Sequence, residues 1–331
     1  MTNPFRLGFL THLRGSADPK QVYQESLKLF EAADQLGFDA GWVAQHHFID
    51  TAGLLPSPFP FLAAAAERTR RLRLGIAVVV LPFEIPLRVA QDAAVVDLLS
   101  GGRLELGAGS GSDPAEFEAF GVAFTSRHER TTAALQALKQ AFRGEPLGQS
   151  GLRLQPARPT LGDRIWLSAL SERGAHYAAQ HEAGLLLSRA AWAGEEPTDA
   201  LQLPVAKAYL AEWNNQAVKP RLGLSRGVYV AADKATALAE VREDILRSMA
   251  IMIKQGRMPA GQSLEYYCKR LHLAYGHPDE VAAYLSADQV LPYSTDLILQ
   301  FDPVLPTLDR AIHMLEQIAT QVAPRLGWQP G

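Results

Sequence analysis

The chain has one cysteine, Cys268, in 331 residues. A single thiol cannot close an internal disulfide, and such scarcity fits a reducing compartment. Neither sign of charge dominates: 32 Lys and Arg against 35 Asp and Glu leave a net charge of −3, with no basic excess for nucleic acid. No apolar run approaches the ~20 residues of a membrane span. The first residues, Met1-Thr2-Asn3-Pro4-Phe5-Arg6, lack the charged-then-apolar layout of a signal peptide. Phosphate-loop, G-x-S-x-G and C-x-x-C motifs are missing, so phosphoryl transfer and serine or thiol hydrolysis have no motif behind them. No linker or low-complexity tract divides the chain. These absences predict a cytoplasmic protein with one domain over residues 1–331 and neither a nucleic-acid nor a membrane partner.

Apolar residues are plentiful, at 47%, enough for a large core. The stretch 72–111 organises the rest. Residues 74–81 form an aliphatic run suited to a parallel strand buried on both faces. Pro86 then signals a helix start, and Leu87, Ala90, Ala94, Val95 and Leu98 form an apolar stripe at helical spacing. Ser100-Gly101-Gly102 ends that helix, and 103–108 is a second strand closed by Gly107, Gly109 and Gly111. The same reading places further strands at 6–10, 38–44, 164–168, 184–188, 222–230 and 295–300, with helices between them. Eight strands alternating with helices predict an α/β fold, a closed (β/α)8 TIM barrel with insertions at its C-terminal rim. A flavodoxin-like open sheet is the alternative. In a barrel, residues 45–57, 109–126 and 189–220 would be long loops over the rim.

Several residues at that rim could carry chemistry. The glycines after 107 could be a dinucleotide fingerprint, but Ser112 stands where the third glycine is needed, and Asp113 and Glu116 would oppose a pyrophosphate. His46 and His47 follow a strand directly, where imidazole can exchange protons; ordinary loop hydrogen bonding is the plainer reading. His12, past the first strand, is also placed for the rim. No metal site is expected, because adjacent strand-end residues point to opposite sides and no H-E-x-x-H helix accompanies them. Ser171 opens a helix. It is either a simple N-cap or part of an anion site, with Arg173 adding a full charge to the helix terminus.

Taken in order, 37–48 (Gly-Phe-Asp-Ala-Gly-Trp-Val-Ala-Gln-His-His-Phe), 72–82, Arg88-Val89-Ala90-Gln91-Asp92, 97–103, 107–111 and 165–171 resemble the luciferase-like flavin monooxygenase family. The resemblance is densest before residue 125 and thin between 190 and 260. It implies an eight-stranded barrel that binds reduced FMN, usually as a homodimer, with a separate flavin reductase. The implied reaction adds oxygen to the flavin and transfers one oxygen atom to a small organic substrate. By position, the resemblance implies that His46 is catalytic. It further implies that Ala77 and Val78 pack against the flavin ring, through a peptide that is often cis. Gly109 and Ser110, then Ala169, Leu170 and Ser171, match cofactor-binding positions, and Ser188 and Arg189 match the flavin's other side. The chain departs from luciferase in two places. Gly109-Ser110 stands where luciferase's alpha chain has Cys-Arg, so Arg173 or Arg189 would have to supply the phosphate's cation. Gln45 stands where luciferase has glutamate, and light emission is not implied. Two alternatives remain from the sequence: a deazaflavin (F420)-dependent reductase or dehydrogenase on the same barrel, and a flavin-binding protein without turnover. The dimer face is expected at the alanine-rich helix 58–66, unless that face covers the barrel.

Overall fold

The structure, a computed structural model, describes residues 4–15, 18–49, 51–191 and 195–330. In chain order the strands are β1 (Arg6–Thr11), β2 (Ala40–Val43), β3 (Arg73–Val80), β4 (Leu104–Gly109), β5 (Ile165–Ser168), β6 (Gly184–Leu187), β7 (Leu222–Val230), β8 (Leu273–Gly276) and β9 (Asp296–Gln300). Every pairing is parallel. The ladder runs from β6 back to β1, on to β9 and β7, and a β6–β7 pairing closes the ring. Eight strands therefore form the barrel. The ninth, β8, pairs only with the far half of β7, from Gly227 to Val230.

The helices are α1 (Pro19–Gln35), α2 (Pro58–Arg68), α3 (Pro86–Leu99), α4 (Pro114–Ala119), α5 (Arg127–Phe142), α6 (Glu172–Gln180), α7 (Thr198–Glu212), α8 (Lys234–Lys254), α9 (Leu264–Arg270), α10 (Pro278–Ser286) and α11 (Leu308–Gln317). Proline stands in the first turn of α1, α2, α3, α4 and α10, where a missing N–H costs nothing. Ser100 caps α3, and Gly101 and Gly102 leave it at φ 68° and 88°.

Two tryptophans fill the barrel lumen. Trp42 of β2 and Trp166 of β5 are fully buried and meet edge to face at 5.7 Å. Neighbouring strands make room with glycine, since a Cβ at Gly75 would fall on Trp42 and one at Gly184 on Trp166. At the strand starts the lumen is closed by charge. Buried Glu105 meets Arg6 at 3.0 Å and Arg73 at 2.5 Å and accepts from Trp166 Nε1 at 2.7 Å. Burial pushes the Glu105 carboxyl up, and Arg6, Arg73 and Arg221 outweigh it, holding the group below its ordinary value. The shared run 97–103 is also structural. Asp97 pairs with Arg158 and Arg164 at 2.7 and 2.5 Å, and Arg103 donates to the carbonyls of Ala66, Thr69 and Leu72.

Four expectations change. The segment 189–220 is not one long loop: α7 crosses from β6 to β7 and packs on α6, although Pro204 sits inside it. Its buried face mixes Gln202 with Val205, Ala206 and Tyr209, so apolar periodicity alone could not show it. The loop 109–126 contains α4. Strand β8 and helix α9 were not expected, because four residues at a barrel margin give no readable period. The stripe on α3 splits: Ala90 and Ala94 are buried, whereas Leu87, Val95 and Leu98 face outward. A helix apolar on both sides does not show from sequence which side faces the core.

Candidate active site

At the carboxyl rim, strand order sets out the site. On the β3–β4–β5 side the ladder between β3 and β4 slips between Ile76 and Val79, and the Ala77–Val78 peptide lying there is cis, the geometry the resemblance implies. Gly107 permits the close approach of β4, since a Cβ there would fall on the Ile76 carbonyl. One strand turn on, a Cβ at Gly109 would lie 2.6 Å from Val78 Cγ2 and 3.0 Å from Ser168 Oγ. Ala77, Val78, Gly109 and Ser168 thus meet as one small-residue platform, with Ala77 and Val78 half-buried and Ser110 beside them half-exposed. Gln45 locks this edge. Its Oε1 accepts from the Val80 N–H at 2.7 Å, and its Nε2 donates to Pro56 O and Glu84 Oε1, both at 3.0 Å.

The β9–β1–β2 side carries the imidazoles. His12, past β1, and His46, past β2, are joined Nδ1 to Nε2 at 2.8 Å. His12 Nε2 faces Gln300 Oε1 at 3.2 Å, and Gln300 Nε2 donates to Ser225 Oγ at 2.6 Å. Next to them Asp302 is held between Arg14 and Arg189. Burial first, then His12 and Arg14, push His46 down to about 3. The ring is therefore neutral at physiological pH, not poised at the ordinary value near 6.5. His47 is elsewhere. It is buried against Phe83 and Phe120, with ring centroids at 5.7 and 4.9 Å, and its backbone N–H donates to Glu116 Oε1.

Beyond β5, Ala169 is buried, and a Cβ at Gly174 of α6 would lie 2.9 Å from its Cβ, so the helix start sits tight on the strand end. Ser171 is the N-cap, its Oγ accepting from the Gly174 N–H at 3.3 Å. Leu170 and Arg173 are exposed. Slight burial and the charges of Arg127 and Arg173 hold His128 of α5 below its ordinary value, so an arginine from α5 and one from α6 act on the same imidazole. Arg127 was missed from sequence. It stacks on Phe124 at 4.1 Å, a contact that only the loop before α5 creates.

Ser188 and Arg189 close the rim past β6. Arg189 donates to Asp302 at 3.1 Å and to Leu271 O, sharing that carboxylate with Arg14, whereas Arg173 stands exposed at the α6 start. Sequence reading also missed Gln300, Asp302, Arg14 and Ser225. Their only signal was position at a strand end, which many polar residues share. Residues 50 and 192–194, within the segments 45–57 and 189–220 expected to lie over the rim, lie outside the described residues. Among the described residues no group of His, Cys, Asp and Glu could hold a metal ion, and no helix is long and apolar enough to cross a membrane.

Residues 4–289 match the sequence model for luciferase-like monooxygenases. The chain is similar to 4-hydroxyprotoasukamycin monooxygenase of Streptomyces nodosus subsp. asukaensis, 37% identical over 179 residues, 51% of this chain and 48% of that protein. It is similar to the oxygenase component of flavin-dependent trigonelline monooxygenase of Acinetobacter baylyi, 28% identical over 72% of this chain and 68% of that protein. The chain thus spans less than half the length of the first of these. In three dimensions it resembles monooxygenase RslO1 from Streptomyces bottropensis, with TM-score 0.80, 24% identity, and 97% and 100% of the two chains covered. It also resembles the oxygenating constituent of 3,6-diketocamphane monooxygenase from Pseudomonas putida in complex with FMN, with TM-score 0.75, 18% identity, and 98% and 99% covered. A coenzyme F420 dependent reductase from Methanopyrus kandleri follows, with TM-score 0.68, 17% identity and the same coverage. At these identities the structural likeness is one of fold.

Proposed function

The chain belongs to the luciferase-like monooxygenase family, and from that premise we propose that it is an FMN-dependent monooxygenase, one domain over residues 1–331, using reduced FMN and O2 to oxygenate a small organic substrate. The observation that carries this reading is the hydrogen-bonded His12–His46 pair at the same rim as the Ala77–Val78–Gly109 platform and the α6 start. That donor set suits FMN. The platform is flat and largely apolar, exposed Leu170 adds apolar surface, and one helix start with Ser171, Arg173 and Arg127 can take one terminal phosphate. Among the described residues no second helix start of this kind adjoins it, which favours FMN over FAD. Glu172 in the first turn opposes the phosphate, so the two arginines must outweigh it.

Reduced FMN, when bound, supplies the electrons that activate O2. The chain's part is to hold the cofactor and to exchange protons. Ser171 and Arg173 anchor the phosphate end, Ala77 and Val78 seat the ring, and Ser110, Ser188 and Arg189 border it. His46, kept neutral, takes a proton at a ring nitrogen and returns it. His47, packed among phenylalanines, serves as wall and not as acid or base. A separate reductase would supply the flavin, and the cytoplasm suits buried Cys268, whose thiol burial pushes up to about 12.

Flavin titration by fluorescence tests the cofactor. FMN should bind more tightly than FAD or a deazaflavin, and tighter binding of either overturns the assignment. With a reductase supplying FMN, His46→Ala should keep flavin affinity within about threefold and lower turnover by on the order of 10²-fold. His47→Ala should leave the oxidation of bound reduced flavin near normal in stopped flow. The reverse pattern would move the role to His47.

A further inference from the structure

Four neighbouring strands of the barrel each contribute one group to a continuous hydrogen-bonded chain. In the order β7, β9, β1, β2 these are Ser225, Gln300, His12 and His46. Its links are 2.6, 3.2 and 2.8 Å long. Ser225 and Gln300 are buried, at 7% and 5% exposure, so water does not compete for the amide. We propose that Gln300 is a positioning residue: through His12 it fixes which nitrogen of His46 carries the proton and leaves the lone pair on His46 Nδ1.

The proton count runs in one direction. Gln300 gives its Nε2 hydrogens toward Ser225, so the atom facing His12 is the carbonyl oxygen, which can only accept. A neutral imidazole has one N–H, and the His12 proton must therefore sit on Nε2. His12 Nδ1 then has only a lone pair. The contact at 2.8 Å needs a proton, and it comes from His46 Nε2. His46 is left with Nδ1 bare, the site's proton-accepting atom. Both rings are held neutral by burial first; among the charges facing them Asp302 raises both, Arg14 lowers both, Arg189 lowers His12, and His12 and His47 lower His46. Among the described residues no other acceptor bonds a His12 ring nitrogen, so the amide sets the direction of the whole chain. An imidazole that could present either nitrogen would be competent only in the fraction of molecules holding the right tautomer.

The inference rests on His46 as the catalytic group, and the test keeps the two apart. Long-range proton–nitrogen spectra of histidine-labelled protein without flavin, at about pH 9 and so above the ordinary histidine range, report each ring's tautomer. Signals are assigned by their loss in His46→Ala and His12→Ala. The unaltered protein should show N–H at Nε2 and a bare Nδ1 on both rings. Gln300→Glu, which can only accept, should keep that pattern; Gln300→Lys, which donates, should move the His46 proton to Nδ1. In turnover, Gln300→Lys should lower kcat by on the order of 10²-fold with KM for flavin unchanged, and Gln300→Glu should recover most of that loss. An N–H at His46 Nδ1 in the unaltered protein, or one pattern in both variants, overturns the inference. Tautomers that follow residue 300 while turnover does not support the inference and remove His46 from the chemistry. The measurement on the unaltered protein stands even if the lysine variant fails to fold.

Discussion

His12 and His46, joined at the rim, and His47, packed apart from them against Phe83 and Phe120, are three imidazoles kept uncharged, and that has a cost the whole fold carries. Burial is the first cause in each case, and His46 falls furthest, to about 3. Unfolding returns each ring to the ordinary value near 6.5. Between those limits the unfolded chain binds protons that the native chain refuses. The stabilisation is therefore complete above about pH 6.5 and is lost as pH falls toward 3. Urea unfolding at about pH 5 should show a loss relative to neutrality, with His46 contributing on the order of 1–2 kcal/mol after allowance for its part-exposed ring. His46→Gln should shrink that loss by the same amount. An acid limb unchanged in the variant would mean that His46 titrates as an ordinary surface histidine. His46 was legible in the sequence as a strand-end residue, and its neutrality was not. The causes, His12 and Arg14, lie 34 and 32 positions away and meet it only when β1 pairs with β2.

At the scale of elements, α6 shows what a short helix can do when its start is held against a strand end. Ser171 already satisfies one N–H of the first turn, and the remaining donors and Arg173 face outward. Ser171→Ala should weaken FMN by about 1 kcal/mol, near fivefold in Kd. Arg127→Ala should cost a similar amount, with a loss that shrinks at high salt because the pair is exposed to screening. Arg189→Ala should instead lower thermal stability, since it takes the Arg189 hydrogen bond from Asp302 Oδ2 and leaves Arg14 on the other oxygen. Equal, salt-insensitive losses of FMN in both arginine variants would contradict the assignment of the phosphate to α6. The strands and most helices could be read from sequence, because aliphatic runs and Pro or Gly boundaries are local signals. Helix α7 could not, with Pro204 inside it and Gln202 on its buried face; nor could β8, whose four residues exist as a strand only through β7.

For the whole molecule, the open question is what covers α3. The alanine-rich helix expected to form a dimer face turns inward: Pro58, Phe59, Phe61, Leu62, Ala65 and Ala66 of α2 are buried against the barrel. The unpartnered apolar surface lies on its neighbour. Val95, Leu98 and Leu99 of α3 are 45%, 55% and 50% exposed, and Ile85 and Leu87 extend the patch at 67% and 41%. Four large aliphatic residues on one outward helix face are more than scattered surface apolarity accounts for. The homodimer expected from sequence would therefore use α3, with Pro60 and Ala64 of α2 at its margin. Arg88 and Asp92, paired at 3.1 Å on the same face, supply a polar rim that a two-fold axis could reuse. An obligate interface there should bury more than ~1,000 Å² in total. Sedimentation at micromolar concentration should give twice the 36.1 kDa chain mass. Leu98→Asp should give the single chain mass, because it would bury an unpaired carboxylate on each side of the contact, while Leu152→Asp, on an exposed leucine outside α3, should leave the dimer intact. A single-chain mass for the unaltered protein would assign the α3 face to some other partner and leave the rim chemistry to a monomer.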